Sequence, residues 1–266
     1  MPAADLHLLI DAALEAGKIA TRYSGETAQR WDKPDGAGPV TEADLAVNEM
    51  LEQRLPAARP SYGWLSEETE DSDDRLTRDR VFIIDPIDGT RSFAEGSRTW
   101  AHSLAIAEQG EVTAAVIYLP LRDLLYAAAK GQGATLNGAA IQVSESSDLG
   151  SAEILAAKPN LNPHHWQQNR APEFKRVYRP SLAYRMALVG QGRFDGMLTL
   201  RPSWEWDIAA GDLIIREAGG RCSNRLGNPL RFNNPHPRLN GVIAAGAFIH
   251  HALHAKLDPN SAGIRP

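Results

Sequence analysis

A short apolar run, Val81-Phe82-Ile83-Ile84, drives straight into Asp85-Pro86-Ile87-Asp88-Gly89-Thr90. The run reads as a buried strand. Pro86 fixes φ, and Gly89 permits a sharp turn or a close backbone approach. Two carboxylates three residues apart on one tight turn repel each other unless a cation sits between them. Hard oxygen donors of this kind suit Mg²⁺, Mn²⁺ or Ca²⁺. The plain alternative is a solvated turn after a strand, and the motif alone does not choose between the two.

Three further acidic positions bear on that choice. Glu67-Glu68 follows the apolar stretch Tyr62-Gly63-Trp64-Leu65, as if at a strand end. The acidic run continues through Glu70, Asp71, Asp73 and Asp74, as a surface turn would. Asp44 closes Thr41-Glu42-Ala43-Asp44, which is also the pattern of a helix capping box. Asp207 lies between Trp206 and Ile208-Ala209-Ala210-Gly211, where a plain helix N-cap would serve as well.

The rest of the pattern outlines a two-part chain. Residues 5–23 carry apolar side chains at helical spacing, with Gly25 as the stop. A loop spans Lys33 to Pro39, and a second helix runs from about Thr41 to Leu55, where Pro56 is expected to end it. Trp100–Ala107, Val112–Leu119 and Leu124–Ala129 are strand-like runs joined by short polar turns, which predicts an antiparallel meander. Asn137-Gly138 is a tight turn leading to Ile141–Val143. After a Ser-, Asp- and Gly-rich linker at 144–150, strands and helices alternate. Strands are expected near Ile154–Ala157, Asp195–Leu200 and Asn240–Ala245. Helices are expected near Ser181–Gly190, Asp207–Ala218 and Phe248–Leu257. The tail from Asp258 reads as disordered. The division is an α+β half, 1–145, and an α/β half, 146–266.

Charge and composition exclude several classes. The chain has 266 residues, with 28 Lys and Arg against 33 Asp and Glu, a net charge of −5. That balance argues against a general nucleic-acid binder. No apolar run has the length of a membrane span, and the N-terminus does not read as a signal peptide. The single cysteine, Cys222, forms neither an intrachain disulfide nor a cysteine-based zinc site, which points to a reducing cytoplasm. The pairs His164-His165 and His250-His251 read as surface residues rather than ligands.

The order PVTEAD, WLSEE, DPIDGT, WEWDIAAGD resembles the inositol monophosphatase family of metal-dependent, lithium-sensitive phosphatases. The resemblance covers about residues 5–250 and includes Gly131-Gln132-Gly133-Ala134 followed by Asn137-Gly138. It implies a layered αβαβα sandwich with the active site where the two halves meet. It implies two or three Mg²⁺ ions per site, with Mn²⁺ as an alternative. By this resemblance Glu67, Asp85 and the Ile87 carbonyl form a first metal site. Asp85, Asp88 and Asp207 form a second, and Asp44 with Glu67 a weaker third. Thr90 is expected to orient the attacking water with Glu67, and the Gly89 and Thr90 amides to donate to phosphate. Lys33, eleven residues before Asp44, falls on a loop that the family uses as a flap. Relatives are often homodimers, and the resemblance leaves that open here.

The resemblance implies a small phosphate ester as substrate. Inositol-preferring relatives usually carry a Glu about seven residues before the WD aspartate; here that place holds Leu200, followed by Arg201. They also tend to read DGTTNF, against Asp88-Gly89-Thr90-Arg91-Ser92-Phe93. Arg91, Arg185 and Arg201 offer charge for a second phosphate, and Tyr184 and Trp204 lie on segments expected to border the pocket. The pattern looks closest to the bacterial 3'(2'),5'-bisphosphate nucleotidase branch. Asp88, Gly89, Thr90, Tyr184, Arg185, Arg201 and Asp207 are the expected substrate contacts. Inositol-1-monophosphatase and histidinol-phosphatase are the alternatives within the family. A catalytically retired binding or regulatory protein is the alternative outside it.

Overall fold

The computed structural model describes residues 2–23, 29–32 and 38–261. Gly25, Lys33 with most of its loop, and the end of the tail lie outside the described residues. Helix α1 (Pro2–Ala20), the hairpin β1 (Arg30–Asp32) and β2 (Pro39–Thr41), and helix α2 (Glu42–Ala58) open the chain. A seven-stranded sheet follows: β3 (Gly63–Ser66), β4 (Arg80–Asp88), β5 (Ala101–Glu108), β6 (Glu111–Leu119), β7 (Leu124–Ala129), β8 (Ala134–Leu136) and β9 (Ala139–Ile141). The short helix α3 (Thr90–Ala94) leaves β4. Its strands lie side by side in chain order, antiparallel except for the β3–β4 pair. The expected meander is therefore present, with a parallel edge.

The second half holds β10 (Glu153–Ala156), β11 (Lys175–Val177), α4 (Leu182–Gly190), β12 (Gly196–Trp204), α5 (Glu205–Glu217), β13 (Arg221–Ser223), β14 (Arg238–Ala245) and α6 (Ala247–His254). They form a mixed five-stranded sheet in the order β11-β10-β12-β14-β13. The three-residue strands β1, β2, β11 and β13 carry no apolar alternation long enough to be read in advance.

Strand alternation builds the layers. Phe82 and Ile84 of β4 face α1 and α2, packing with Leu9, Val47 and Leu51. Val81 and Ile83 face the other way, into a core shared with Met186 of α4, Ile214 of α5 and Met197 of β12. The far side of the second sheet, with Ile154, Leu198 and Ile243, packs on Ile249 and Leu253 of α6. The result is the layered αβαβα sandwich. No helix among the described residues is long and apolar enough to cross a membrane.

Three local expectations need correction. Pro56 does not stop α2, which runs on to Ala58. In the last turn a proline forfeits only one backbone bond, and Glu52, whose carbonyl loses its donor, is exposed. Helix α5 starts at Glu205, with Trp204 as its cap, so Asp207 sits in the first turn rather than at the N-cap. Strand β4 does not end at Asp85 but continues to Asp88 through an irregularity. Asp85 pairs with Ser103 and Asp88 with Ala101, so Pro86 and Ile87 together oppose His102 alone. Two residues against one make a β-bulge, and the missing N–H of Pro86 falls where the ladder is already broken.

Candidate active site

The bulge sets out the acids. Asp85 is the last regularly paired residue of β4, almost wholly buried, and among the described residues neither of its carboxylate oxygens has a hydrogen-bond donor. Glu67 follows β3, whose parallel pairing with β4 is extended by the Glu67 amide donating to the Ile84 carbonyl at 3.2 Å. That places Glu67 beside Asp85. Asp207 comes from the opposite half, on the first turn of α5. One oxygen from each of Glu67, Asp85 and Asp207 falls within 4.8 Å of the others.

Asp88, past the bulge, turns toward α4. Its Oδ2 accepts from the Ser181 hydroxyl and from the Ala183 amide, each at 2.6 Å. Ser181 is also the N-cap of α4, accepting from the Tyr184 amide. Gly89 follows at φ +97°, where a side chain would be strained and would press on Ser181. It caps α3, whose first amides have no partner within the helix.

Asp44 caps α2, as its pattern predicts, and its second oxygen turns to Thr90. Its Oδ2 accepts from the Thr41 amide at 2.8 Å and from the Thr41 hydroxyl, and its own amide donates to the Thr41 hydroxyl oxygen at 3.4 Å, completing a capping box at the start of α2. Its Oδ1 accepts from the Thr90 hydroxyl at 3.1 Å, and that hydroxyl also lies 3.1 Å from the Ile87 carbonyl. Thr90 is thus anchored on Asp44.

Burial governs the electrostatics. Asp85 and Asp207 are pushed well above the usual carboxylate range, first by burial and then by the neighbouring carboxylates. Asp88 is raised by burial, partly offset by its bonds from Ser181 and Ala183. Asp44 rises to about 6, again mainly through burial. Charged acids so placed are costly without compensation, and among the described residues no donor reaches either oxygen of Asp85. An all-carboxylate donor set with carbonyl oxygens at hand fits a hard divalent cation.

A cleft of about 460 Å³ covers Glu67, Asp85, Asp88 and Asp207, lined also by Arg91, Tyr178, Leu182, Arg185 and Arg201. Arg185 is buried, its Nε has no partner among the described residues, and its guanidinium lies 5.3 Å from the centre of the Tyr178 ring. Arg201 reaches the cleft through a second bulge. Leu200 and Arg201 together oppose Gly241, which takes φ +70° and lies so close that a Cβ would meet the Thr199 carbonyl at 2.7 Å.

The geometry matches one family in particular. The family model described as "Inositol monophosphatase family" matches residues 4–261. The chain belongs to the inositol monophosphatase family. It is 35% identical over 266 residues to an inositol-1-monophosphatase of Mesorhizobium japonicum, covering 93% of this chain and 94% of the relative. It is 32% identical to the Nus factor SuhB of Escherichia coli K12, over 84% and 85% of the two chains. Its fold matches the crystal structure of the extragenic suppressor protein SuhB from Bartonella henselae with a TM-score of 0.78, at 30% identity, covering 95% and 97%. Inositol monophosphatase family members are metal-dependent phosphomonoesterases, and this member is a phosphatase of that type.

For this phosphatase, the structure brings Glu67, Asp85, Asp88, Gly89, Thr90, Arg185, Arg201 and Asp207 to one cleft, with Asp44 behind Thr90. Two expected substrate neighbours are not there. Tyr184 is buried in the core between the sheets, because it lies about 100° around α4 from Arg185, which faces the cleft. Trp204 stacks on Trp206 at 4.7 Å, under Arg238. Leu200, where an ungapped count placed the sugar-binding acid, is packed against α6 in the outer core. The aromatic at the cleft is Tyr178, half-exposed and in an irregular segment where periodicity is silent.

Proposed function

We propose that this phosphatase is a Mg²⁺-dependent enzyme that acts on a substrate bearing a second anionic group, best met by adenosine 3',5'-bisphosphate, which it converts to AMP and phosphate. The observation that carries this reading is the presence of Arg91, Arg185 and Arg201 in the same cleft as the acids, none ion-paired among the described residues. Tyr178 offers a ring face for a base beside the Arg185 guanidinium.

When bound, a divalent cation supplies positive charge for the phosphate and lowers the pKa of water. Glu67, Asp85 and Asp207 are the residues that would hold it, with Asp88 and the Ile87 carbonyl as neighbouring donors. Asp44 accepts from the Thr90 hydroxyl and fixes its direction. Thr90 then orients a water toward phosphorus from the other lone pair of its oxygen, with Glu67 on the facing side. The amides at the start of α3 donate to phosphate oxygens. Arg185 and Arg201 take the second anion. The lone Cys222 fits a cytoplasmic setting.

The second reading is inositol-1-monophosphatase, favoured by the name of the Mesorhizobium relative. Phosphate release from adenosine 3',5'-bisphosphate, inositol 1-phosphate, histidinol phosphate and AMP separates the readings. A higher kcat/KM on the bisphosphate is expected; a preference for inositol 1-phosphate would overturn it in favour of the second reading.

A further inference from the structure

Arg75 is one of the largest fully buried side chains of the protein, yet it is cationic and lies outside the acidic cluster. Its Nε and Nη2 donate to the two oxygens of Asp71 at 2.6 and 2.7 Å. Nη1 donates to Asn233 Oδ1 at 2.7 Å, and Nη2 also to the Asn234 carbonyl at 3.0 Å. Asn233 Nδ2 returns a bond to the Arg75 carbonyl at 3.2 Å. The fork is thus divided between the first half of the chain and a turn near its end.

That turn grips Glu205. The buried Glu205 carboxylate accepts from the Asn233 amide at 2.6 Å, the Asn234 amide at 3.0 Å and Asn234 Nδ2 at 2.6 Å. Glu205 is the first residue of α5, two before Asp207. On the other side, Asp71 lies four residues after Glu67. The Arg75 backbone packs against Gly63, the first residue of β3, so closely that a Cβ on Gly63 would meet Arg75 Cα at 3.0 Å. Residues 63–75 therefore form an excursion closed at its base by Arg75 and carrying Glu67.

We propose that Arg75 is a positioning residue that acts with Asn233, Asn234 and Glu205 to set the spacing of Glu67 and Asp207. It rests on the reading of those acids as a metal centre. Glu67 and Asp207 belong to different halves, so no short stretch of chain fixes their separation. A buried guanidinium bonded to both sides can, because it carries charge-assisted bonds to Asp71, Asn233 and Asn234 and any slack leaves a buried charge less well paired. Groups that orient metal ligands typically contribute about 10–100-fold to metal affinity.

The test is Mn²⁺ titration by calorimetry of wild type, Arg75→Met, Arg75→Lys and Asn234→Ala, with Tm recorded in EDTA. Arg75→Met is expected to weaken Mn²⁺ binding by about tenfold or more. Arg75→Lys, which keeps the charge and loses the fork, is expected to fall between. Activity of these variants is expected to recover toward wild type at saturating Mn²⁺. Asn234→Ala removes one donor from Glu205 at a partly exposed position and is expected to weaken Mn²⁺ binding in the same direction, so it decides the matter if Arg75→Met does not fold. A lowered Tm with unshifted Mn²⁺ affinity would make Arg75 an anchor of the fold only and overturn the proposal. A wild-type protein that binds no Mn²⁺ overturns the metal centre and the proposal with it.

Discussion

Ser103 pairs with Asp85 across the β4–β5 ladder, and its hydroxyl donates to the Trp206 carbonyl at 2.9 Å. One side chain thus ties the strand of a central acid to the residue before Asp207, on the helix from the opposite half. The acids converge because that helix lies across the sheet with its first turn at the bulged end of β4.

Asp85→Asn tests the self-repulsion of the acids. Its ionised form is disfavoured by burial and by Glu67, Asp88 and Asp207. A neutral isostere removes that cost, so the variant should melt at a higher temperature than wild type in EDTA. It should also lose the Tm gain that Mg²⁺ gives wild type, and its phosphatase activity. Calorimetric scans with and without Mg²⁺ check this, and a lower Tm in EDTA would show that the carboxylate is stabilised within the protein.

Thr90→Val keeps the shape of the side chain and removes the hydroxyl that spans Asp44 and the Ile87 carbonyl. A loss of about 100-fold or more in kcat is expected, the scale of a positioned proton-transfer group. KM should change little, and Thr90→Ser should restore most of the rate. Steady-state kinetics with wild-type turnover in Thr90→Val would remove Thr90 from the chemistry.

Arg185→Met and Arg201→Met address the substrate. If either side chain meets a second phosphate, its loss should cost about 1.5–3 kcal/mol of transition-state binding on adenosine 3',5'-bisphosphate, roughly 10–150-fold in kcat/KM. AMP should be spared. Equal losses on both substrates would mark the arginine as structural.

His102 gives the fold a pH dependence. It is fully buried behind the bulge, with Nδ1 against the Pro86 carbonyl, and burial pushes it down to about 4. Between about 6.5 and 4 the unfolded chain binds a proton that the folded protein refuses, so stability falls as pH falls through this window, by about 3 kcal/mol at pH 4. Asp44, raised to about 6, works in the opposite sense, since the metal-free folded state holds its proton more tightly. Urea unfolding of His102→Leu against wild type isolates the imidazole: the stability difference should shift toward the variant as pH drops. A pH-independent difference would show that His102 is protonated in the fold.

Much of the site was legible because it depends on local order. A buried apolar strand running into two acids, a capping box at Asp44 and a helix beginning within two residues of Asp207 are short-range patterns, and their succession is what the family resemblance rests on. The strands of the meander and the helices facing them followed from periods of two and of 3.6 residues, for the same reason. The tertiary structure alone decided what depends on register and direction. The β4 bulge separates Asp88 from Asp85 and sends it to Ser181 and Ala183. The β12 bulge brings Arg201 to the cleft while Leu200 goes to the core. The helical phase of α4 puts Arg185 in the cleft and Tyr184 in the core, and an irregular segment supplies Tyr178. A one-residue slip in a strand exchanges its two faces, and about 100° of helix separates a pocket residue from a core residue. A linear sequence carries the residue types of such a site but not these offsets, which are set by what packs on the opposite side.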